Sequence, residues 1–265
     1  MSGAIIAPVD LGPMSTRVLH HAAGFSRLLQ ADLRIMHVSS DTSATERERV
    51  IEFCARAAPY ELDVEEAQVV VRCGQVSEVI CREAAREQAS MIVVGSRGHA
   101  GLTKLLLGSS SEAVLRRASA PVLLVPPTDI DIVGIADRPT LTSGPILVAI
   151  DLSESSERQL LLAGRLAGLG GQPLLLMTVA PARLSDQQAA AMLKDCARAV
   201  GVTPMATIVR RGNVAEEISQ CALIEGAGLV VMGLRARARG RPGGIAAAVL
   251  KTNRAFVLAV PGSHP

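Results

Sequence analysis

Val93-Val94-Gly95-Ser96-Arg97-Gly98-His99-Ala100-Gly101-Leu102-Thr103-Lys104-Leu105-Leu106-Leu107-Gly108-Ser109-Ser110-Ser111 is the stretch whose reading decides the fold. An apolar run, Met91 to Val94, leads into it, and a helical pattern, Glu112 to Ala118, leaves it. The order is strand, glycine-rich loop, helix start. That order suits a phosphate: glycines let the backbone approach an anion, and the free N–H groups of a helix N-terminus point at it. Ser109, Ser110 and Ser111 add candidate caps and hydroxyl donors. The spacing Gly95-x2-Gly98-x9-Gly108-Ser109 is neither a Walker A loop nor the dinucleotide fingerprint.

Working outward, the chain alternates strand and helix. Ile5 to Asp10 is an apolar run ending in a carboxylate, as in a buried parallel strand that stops at a loop. Apolar residues at helical spacing continue from Val18 to Leu29. Leu33 to Val38 reads as a strand, Thr45 to Ala58 as a helix, Ala67 to Val71 as a strand and Gln75 to Gln88 as a helix with Val76, Val79, Ile80 and Ala84 facing inward. Met91 to Gly95 is the fourth strand and Pro121 to Pro126 the fifth. Regular alternation of this kind predicts a parallel sheet with helices on both faces.

The segment from Pro126-Pro127 to Ser143, rich in Asp, Thr, Pro and Gly, breaks the pattern and reads as a linker. The pattern then repeats. Ile146 to Asp151 copies Ile5 to Asp10, Gly212-Asn213-Val214 echoes Gly74-Gln75-Val76, Gly228 to Gly233 copies the fourth strand and Ala255 to Pro261 the fifth. A chain of 265 residues accommodates two domains of ordinary size. The reading is a tandem duplication, with domains at 1–127 and 144–265 joined by a linker at 128–143.

The glycine spacing, in this context, resembles the nucleotide-binding signature of the universal stress protein family, and the resemblance covers the chain outside the linker. It implies an adenine nucleotide alpha hydrolase-like α/β fold: two tandem five-stranded parallel sheets, each ordered 3-2-1-4-5 with helices on both faces. It also implies ATP, with or without Mg²⁺, as the ligand of the first domain. Gly95, Gly98, Gly108, Ser109 and Ser110 would meet phosphates. Asp10 would lie by the nucleoside, with Ala7, Pro8 and Val9 lining the same mouth. Main-chain groups at Val38 would read the base edge and Val122 would flank it. Arg97 and His99 stand where they could meet phosphate oxygens. Pairing through the fifth strands, Val122 to Val125 with Val257 to Val260, would join the two domains within one chain, since an apolar sheet edge is a liability unless covered. A homodimer and an unidentified protein partner stay open.

The second domain departs from the signature at the decisive place. Ala236 stands where the first domain has Gly98, and the helix-start serines give way to Gly244-Ile245-Ala246, although Asp151 remains. No ATP site of the usual form is expected there. Arg235, Arg237, Arg239 and Arg241 in that loop read either as an anion grip or as solvated side chains.

Composition excludes other classes. A net charge of +2 gives no general electrostatic case for nucleic acid or membrane, and 2% aromatics cannot build a base-stacking platform. No apolar run approaches a membrane span, and Met1-Ser2-Gly3 leads almost directly into a strand, so a cytoplasmic location is expected. The five cysteines form no CxxC pair and read as small core residues. No catalytic triad, paired carboxylates or zinc spacing stands out. His20 and His21, neighbours on a helix, are expected to diverge rather than chelate, His37 to be packed, and Glu46 and its neighbours to be surface charge. The expected function is a nucleotide-responsive regulatory or stress-protective module. The rivals are a slow adenine-nucleotide hydrolase or transferase and a non-binding scaffold.

Overall fold

The computed structural model describes residues 3–57, 68–96, 107–134, 140–141, 144–234, 244–252 and 255–262. They divide into two compact units, Met1–Thr140 and Leu141–Pro265. The first contains β1 (Ile5–Val9), α1 (Pro13–Leu29), β2 (Leu33–Val38), α2 (Ala44–Ala57), β3 (Gln68–Arg72), α3 (Val76–Arg86), β4 (Met91–Gly95), α4 (Ser109–Arg117) and β5 (Val122–Val125), then the short β6 (Val133–Gly134); the two-residue β7 (Thr140–Leu141) falls on the boundary. The second contains β8 (Ile146–Ala149), α5 (Glu157–Gly170), β9 (Leu174–Val179), α6 (Asp186–Ala199), β10 (Ala206–Arg210), α7 (Val214–Ile224), β11 (Leu229–Leu234), α8 (Gly244–Thr252) and β12 (Phe256–Pro261).

Every strand pair within the five-stranded part of each unit is parallel. The order is β3-β2-β1-β4-β5 in the first unit and β10-β9-β8-β11-β12 in the second. Short apolar strands without polar alternation are what such sheets require, because helices cover both faces. Ile5, Ile6 and Ala7 of β1 and Met91, Ile92 and Val93 of β4 are fully buried. On one face α1 and α2 close over Val9, Leu19, Ile35, Val50, Cys54 and Val69. On the other, α3 and α4 bury Val79, Ile80, Val114 and Leu115. Val76 does not join them: it opens α3 and is exposed.

The duplication extends to turn chemistry. Gly74 and Gly212 occupy matched turns with φ of 137° and 133°, a region that glycine alone enters without strain. Each is followed by an amide side chain that caps the next helix: Gln75 accepts from the Glu78 N–H, and Asn213 from those of Ala215 and Glu216. The residues after Pro127 pack on the first unit, with Ile132 and Val133 buried along α1. Gly24 makes room there, since a Cβ at that position would come within 2.4 Å of Val133 Cγ1.

One difference between the copies concerns the seam between the central strand and its neighbour. In the second unit the ladder between β8 and β11 runs as far as Ala149 opposite Met232. In the first, the ladder between β1 and β4 holds Ile5 and Ile6 only. The cause is Pro8, the counterpart of Ala149. The Ile5 N–H bonds Asp32 O on the β2 side at 2.7 Å. Backbone groups alternate sides along a strand, so position 8 turns its nitrogen toward β4, and proline has no hydrogen to offer. Backbone hydrogen bonding across that seam therefore stops early in the first unit, below the carboxyl end of β1.

In Pro8→Ala the new amide is expected to join the β1–β4 ladder and to exchange slowly with solvent. Fast exchange at position 8 would refute the assignment. Separately, burial is the largest cause lowering the His21 pKa from 6.5 to about 4, against a partial opposing effect of its hydrogen bond to the Arg17 carbonyl. Between those values the unfolded chain takes up a proton that the folded chain refuses, so stability falls as pH drops from 6.5 toward 4 and is flat, for this group, above 6.5. With a chelator present, denaturant unfolding at pH 7.5 and pH 5 should differ by about 2 kcal/mol from His21, and His21→Gln should remove that part of the difference. An unchanged pH dependence in His21→Gln would contradict it.

Candidate functional site

The order 3-2-1-4-5 reverses direction between β1 and β4. Chain leaving β1 therefore turns one way and chain leaving β4 the other, and a crevice opens at the carboxyl ends of these two strands. Extending the β1–β4 register places Val9 beside Gly95. Asp10 and Ser96 then flank the mouth.

Asp10 is tied into the turn that starts α1. Its Oδ1 accepts from the Gly12 N–H at 2.9 Å and the Ser15 Oγ at 2.8 Å. Asp151 does the same in the second unit, where its Oδ1 accepts from Ser153 N–H at 3.0 Å and Ser153 Oγ at 2.7 Å. A carboxylate that makes the same turn in both copies performs a structural task in each. Leu11, directly after Asp10, sits at φ 60°, an uncommon conformation for a branched residue, so the mouth carries local strain.

The β4 side is built around the start of α4. The Gly108 N–H donates to Ser96 O at 2.9 Å, and the Ser111 hydroxyl donates to Gly95 O at 2.7 Å. These two bonds staple the helix start onto the end of β4. The first helical bond runs from Glu112 N–H to Gly108 O at 2.9 Å, so the N–H groups of Ser109 to Ser111 precede the intrahelical ladder. Gly108 is the N-cap and supplies no side-chain acceptor to them. Ser109 and Ser110 are exposed, and they line a crevice of about 340 Å³ together with Gly74, Gln75 and Ser77 at the start of α3. The two neighbouring helices differ here: α3 is capped by Gln75, while α4 presents an uncapped positive helix end.

The remaining expected residues divide. Val38 lies half-buried at the end of β2 and Pro8 half-buried near the end of β1, while Val9, which ends β1, is buried in the core under α1 and α2. Ala7 is fully buried one step deeper. Val122 does not join them. It opens β5 opposite Ile92, at the amino end of the sheet and fully buried, and Val125 is the β5 residue beside Gly95. Arg97, Gly98 and His99 lie outside the described residues, as do Arg235, Arg237, Arg239 and Arg241.

Two polar residues at this mouth form a pair that the sequence reading missed: His37 is packed, as expected, and Glu46 packs against it. His37 donates from Nδ1 to Val9 O at 2.8 Å, and its Nε2 lies 3.3 Å from Glu46 Oε1. Both side chains are largely buried. Glu46 is thus no solvated surface charge: the first turn of α2 folds it inward against the end of β2. The available signal was a histidine near a strand end followed by a glutamate in the first turn of the next helix.

The second unit keeps a hollow at the equivalent place. A cavity of about 600 Å³ opens at the ends of β8, β9 and β11, with Met177, Met232 and Ile245 among its apolar walls and Asp151, Gln159 and Thr178 among its polar ones. A volume of this order suits a small-molecule ligand. At the start of α8, Gly244, Ile245 and Ala246 line it where the first unit has serines, so hydroxyl donors are missing from that helix start.

Among the described residues no helix is long and apolar enough to cross a membrane. The sequence model of the universal stress protein family matches residues 1–126 and again 143–261. A universal stress protein of Coxiella burnetii is 32% identical over 136 residues, which are 46% of this chain and 94% of that protein. One of Bacillus subtilis is 28% identical over 149 residues, 47% of this chain and 99% of that protein. Among solved structures, a universal stress protein from Archaeoglobus fulgidus superposes with a TM-score of 0.72 at 20% identity, covering 99% of this chain and 97% of the other. With its two consecutive family matches, the chain belongs to the universal stress protein family as a tandem of two such domains.

Proposed function

We propose that the first unit binds an adenine nucleotide, ATP with or without Mg²⁺, and that the protein acts as a nucleotide-responsive regulatory or stress-protective module. The observation that carries this reading is the uncapped start of α4, stapled by Gly108 and Ser111 to the end of β4. Three N–H groups and the exposed hydroxyls of Ser109 and Ser110 are available there to phosphate oxygens, at the positive end of a helix. The crevice at the carboxyl ends of β1 and β4 gives a nucleoside somewhere to lie, and Val38 stands at the end of β2 beside it.

The mechanism is binding rather than turnover. Hydrolysis of ATP calls for a positioned water and neutralisation of the leaving group. The mouth offers Asp10, whose Oδ1 is engaged in a turn, and the pair His37 and Glu46, whose described bonds are to the protein itself. A bound nucleotide would change the surface presented to a partner, which shifts a population without chemistry.

The cavity in the second unit favours a second reading of that half. Its apolar walls and its serine-free helix start suit a ligand without phosphates, so the two units would divide the binding of different molecules.

Nucleotide released from the purified protein by denaturation and quantified by chromatography tests the first reading. One adenine nucleotide per chain is expected. Gly108→Leu should weaken ATP binding at least about tenfold, since a side chain there obstructs the approach of phosphate to the helix start. The double variant Ser109→Ala, Ser110→Ala should weaken it several-fold. Undiminished ATP binding in Gly108→Leu, or two ATP molecules per chain, would overturn the assignment.

A further inference from the structure

A second cluster of chemistry lies away from the mouth, on α1. Neighbouring residues on a helix point about 100° apart, so His20 and His21 were expected to diverge. The structure corrects this. Their rings meet edge to face with centroids 5.0 Å apart, and a third residue approaches both from outside the helix. That residue is Asp131, in the segment after β5. Its Oδ2 lies 3.6 Å from His20 Nε2 and its Oδ1 lies 3.6 Å from His21 Nε2. One donor atom from each of the three residues falls within 4.8 Å of the others.

Asp131 is held in place by independent forces. Ile132 and Val133 are buried against α1, with Val133 seated over Gly24. Arg17 donates from Nη2 to Ile130 O at 2.6 Å and pairs with Asp131 Oδ1 at 3.3 Å. The apolar packing fixes the backbone, and Arg17 orients the carboxylate.

The separations and the tautomer then decide what the cluster can do. His21 is fully buried, and its Nδ1 lies 2.8 Å from Arg17 O. A carbonyl only accepts, so the proton is on Nδ1 and the neutral ring presents a lone pair at Nε2. That lone pair faces a carboxylate oxygen. Two acceptors at 3.6 Å do not hydrogen-bond with each other, and the distance exceeds the usual range of about 2.7–3.2 Å. Zinc bonds of about 2.0–2.2 Å in tetrahedral geometry set neighbouring ligand atoms about 3.3–3.6 Å apart, so the three donor atoms, which lie within 4.8 Å of one another, would draw together around an ion. Two imidazole nitrogens and a carboxylate form a donor set that suits zinc, and a fourth position is left for water. The supporting contacts are also those of a metal site: the ligating histidine gives its other N–H to a backbone carbonyl, and the ligating carboxylate is held by a guanidinium. Asp131 is 45% exposed by side chain, so an ion has a route in from solvent.

We propose that His20, His21 and Asp131 bind one zinc ion, which straps the segment after β5 onto α1. This site is separate from the α4 helix start and does not depend on nucleotide.

The test uses the full chain, stripped with chelator and titrated with zinc chloride by calorimetry in the absence of nucleotide. One equivalent is expected. Asp131→Asn and His20→Gln, both at partly exposed positions, should each weaken binding by at least about 100-fold, because either removes a ligand rather than a supporting contact. Circular dichroism establishes that the variants are folded. Zinc should raise the thermal midpoint of the wild type and leave that of Asp131→Asn unchanged. Cobalt(II) in place of zinc should give the visible absorption of a four-coordinate site. Wild-type protein that takes up no zinc, or Asp131→Asn that binds it as tightly as wild type, would overturn the proposal. The double variant Ser109→Ala, Ser110→Ala should keep its zinc, which separates failure here from failure of the nucleotide reading.

Discussion

The central strand of each unit is the constraint on which the rest depends. β1 must pair in parallel with β2 on one edge and β4 on the other, and β8 with β9 and β11. A parallel neighbour can be reached only through a crossover, and the crossover that leaves β1 runs opposite to the one that leaves β4, as do those that leave β8 and β11. A gap at the carboxyl end is a consequence of that arrangement, not an addition to it. The chain then varies how each gap is finished. The first copy places Pro8 where the ladder would otherwise continue and a stapled, uncapped helix start beside it. The second continues the ladder to Ala149 and keeps a hollow with apolar walls.

The turn aspartates show how much care a matching residue requires. Asp10 and Asp151 stand at equivalent positions and make equivalent turns. Each Oδ1 thus has a task in the fold. The helix starts differ, since Ser109 and Ser110 have no counterpart at Gly244 to Ala246. Among the described residues the two halves therefore differ at the helix start beyond the fourth strand more than at the turn beyond the first. His37 adds a link between the ends of β1 and β2 and the first turn of α2, through the Val9 carbonyl and Glu46.

Much of this was legible in the sequence because it is written locally. Apolar runs without alternation mark buried parallel strands, and Gly74 and Gly212, each succeeded by a capping amide, mark matched turns. Ser185 begins a complete capping box, as its sequence suggests. The features that were not legible depend on residues distant in the chain. Glu46 looks like surface charge until β2 brings His37 against it. His20 and His21 look divergent until Asp131 reaches them from beyond β5. Val122 was placed at the mouth from its position at the start of β5, whereas the register puts the start of a parallel strand at the opposite end of the sheet from the site.

The central claim is that the helix start after β4, and not its counterpart after β11, receives the phosphates. Amide hydrogen exchange with and without ATP addresses it at the residues concerned. The account predicts that ATP slows exchange at the N–H groups of Ser109 to Ser111 and leaves those of Ile245 to Ala247 unchanged. Slowing at the α8 start, or no change at either helix, would contradict it.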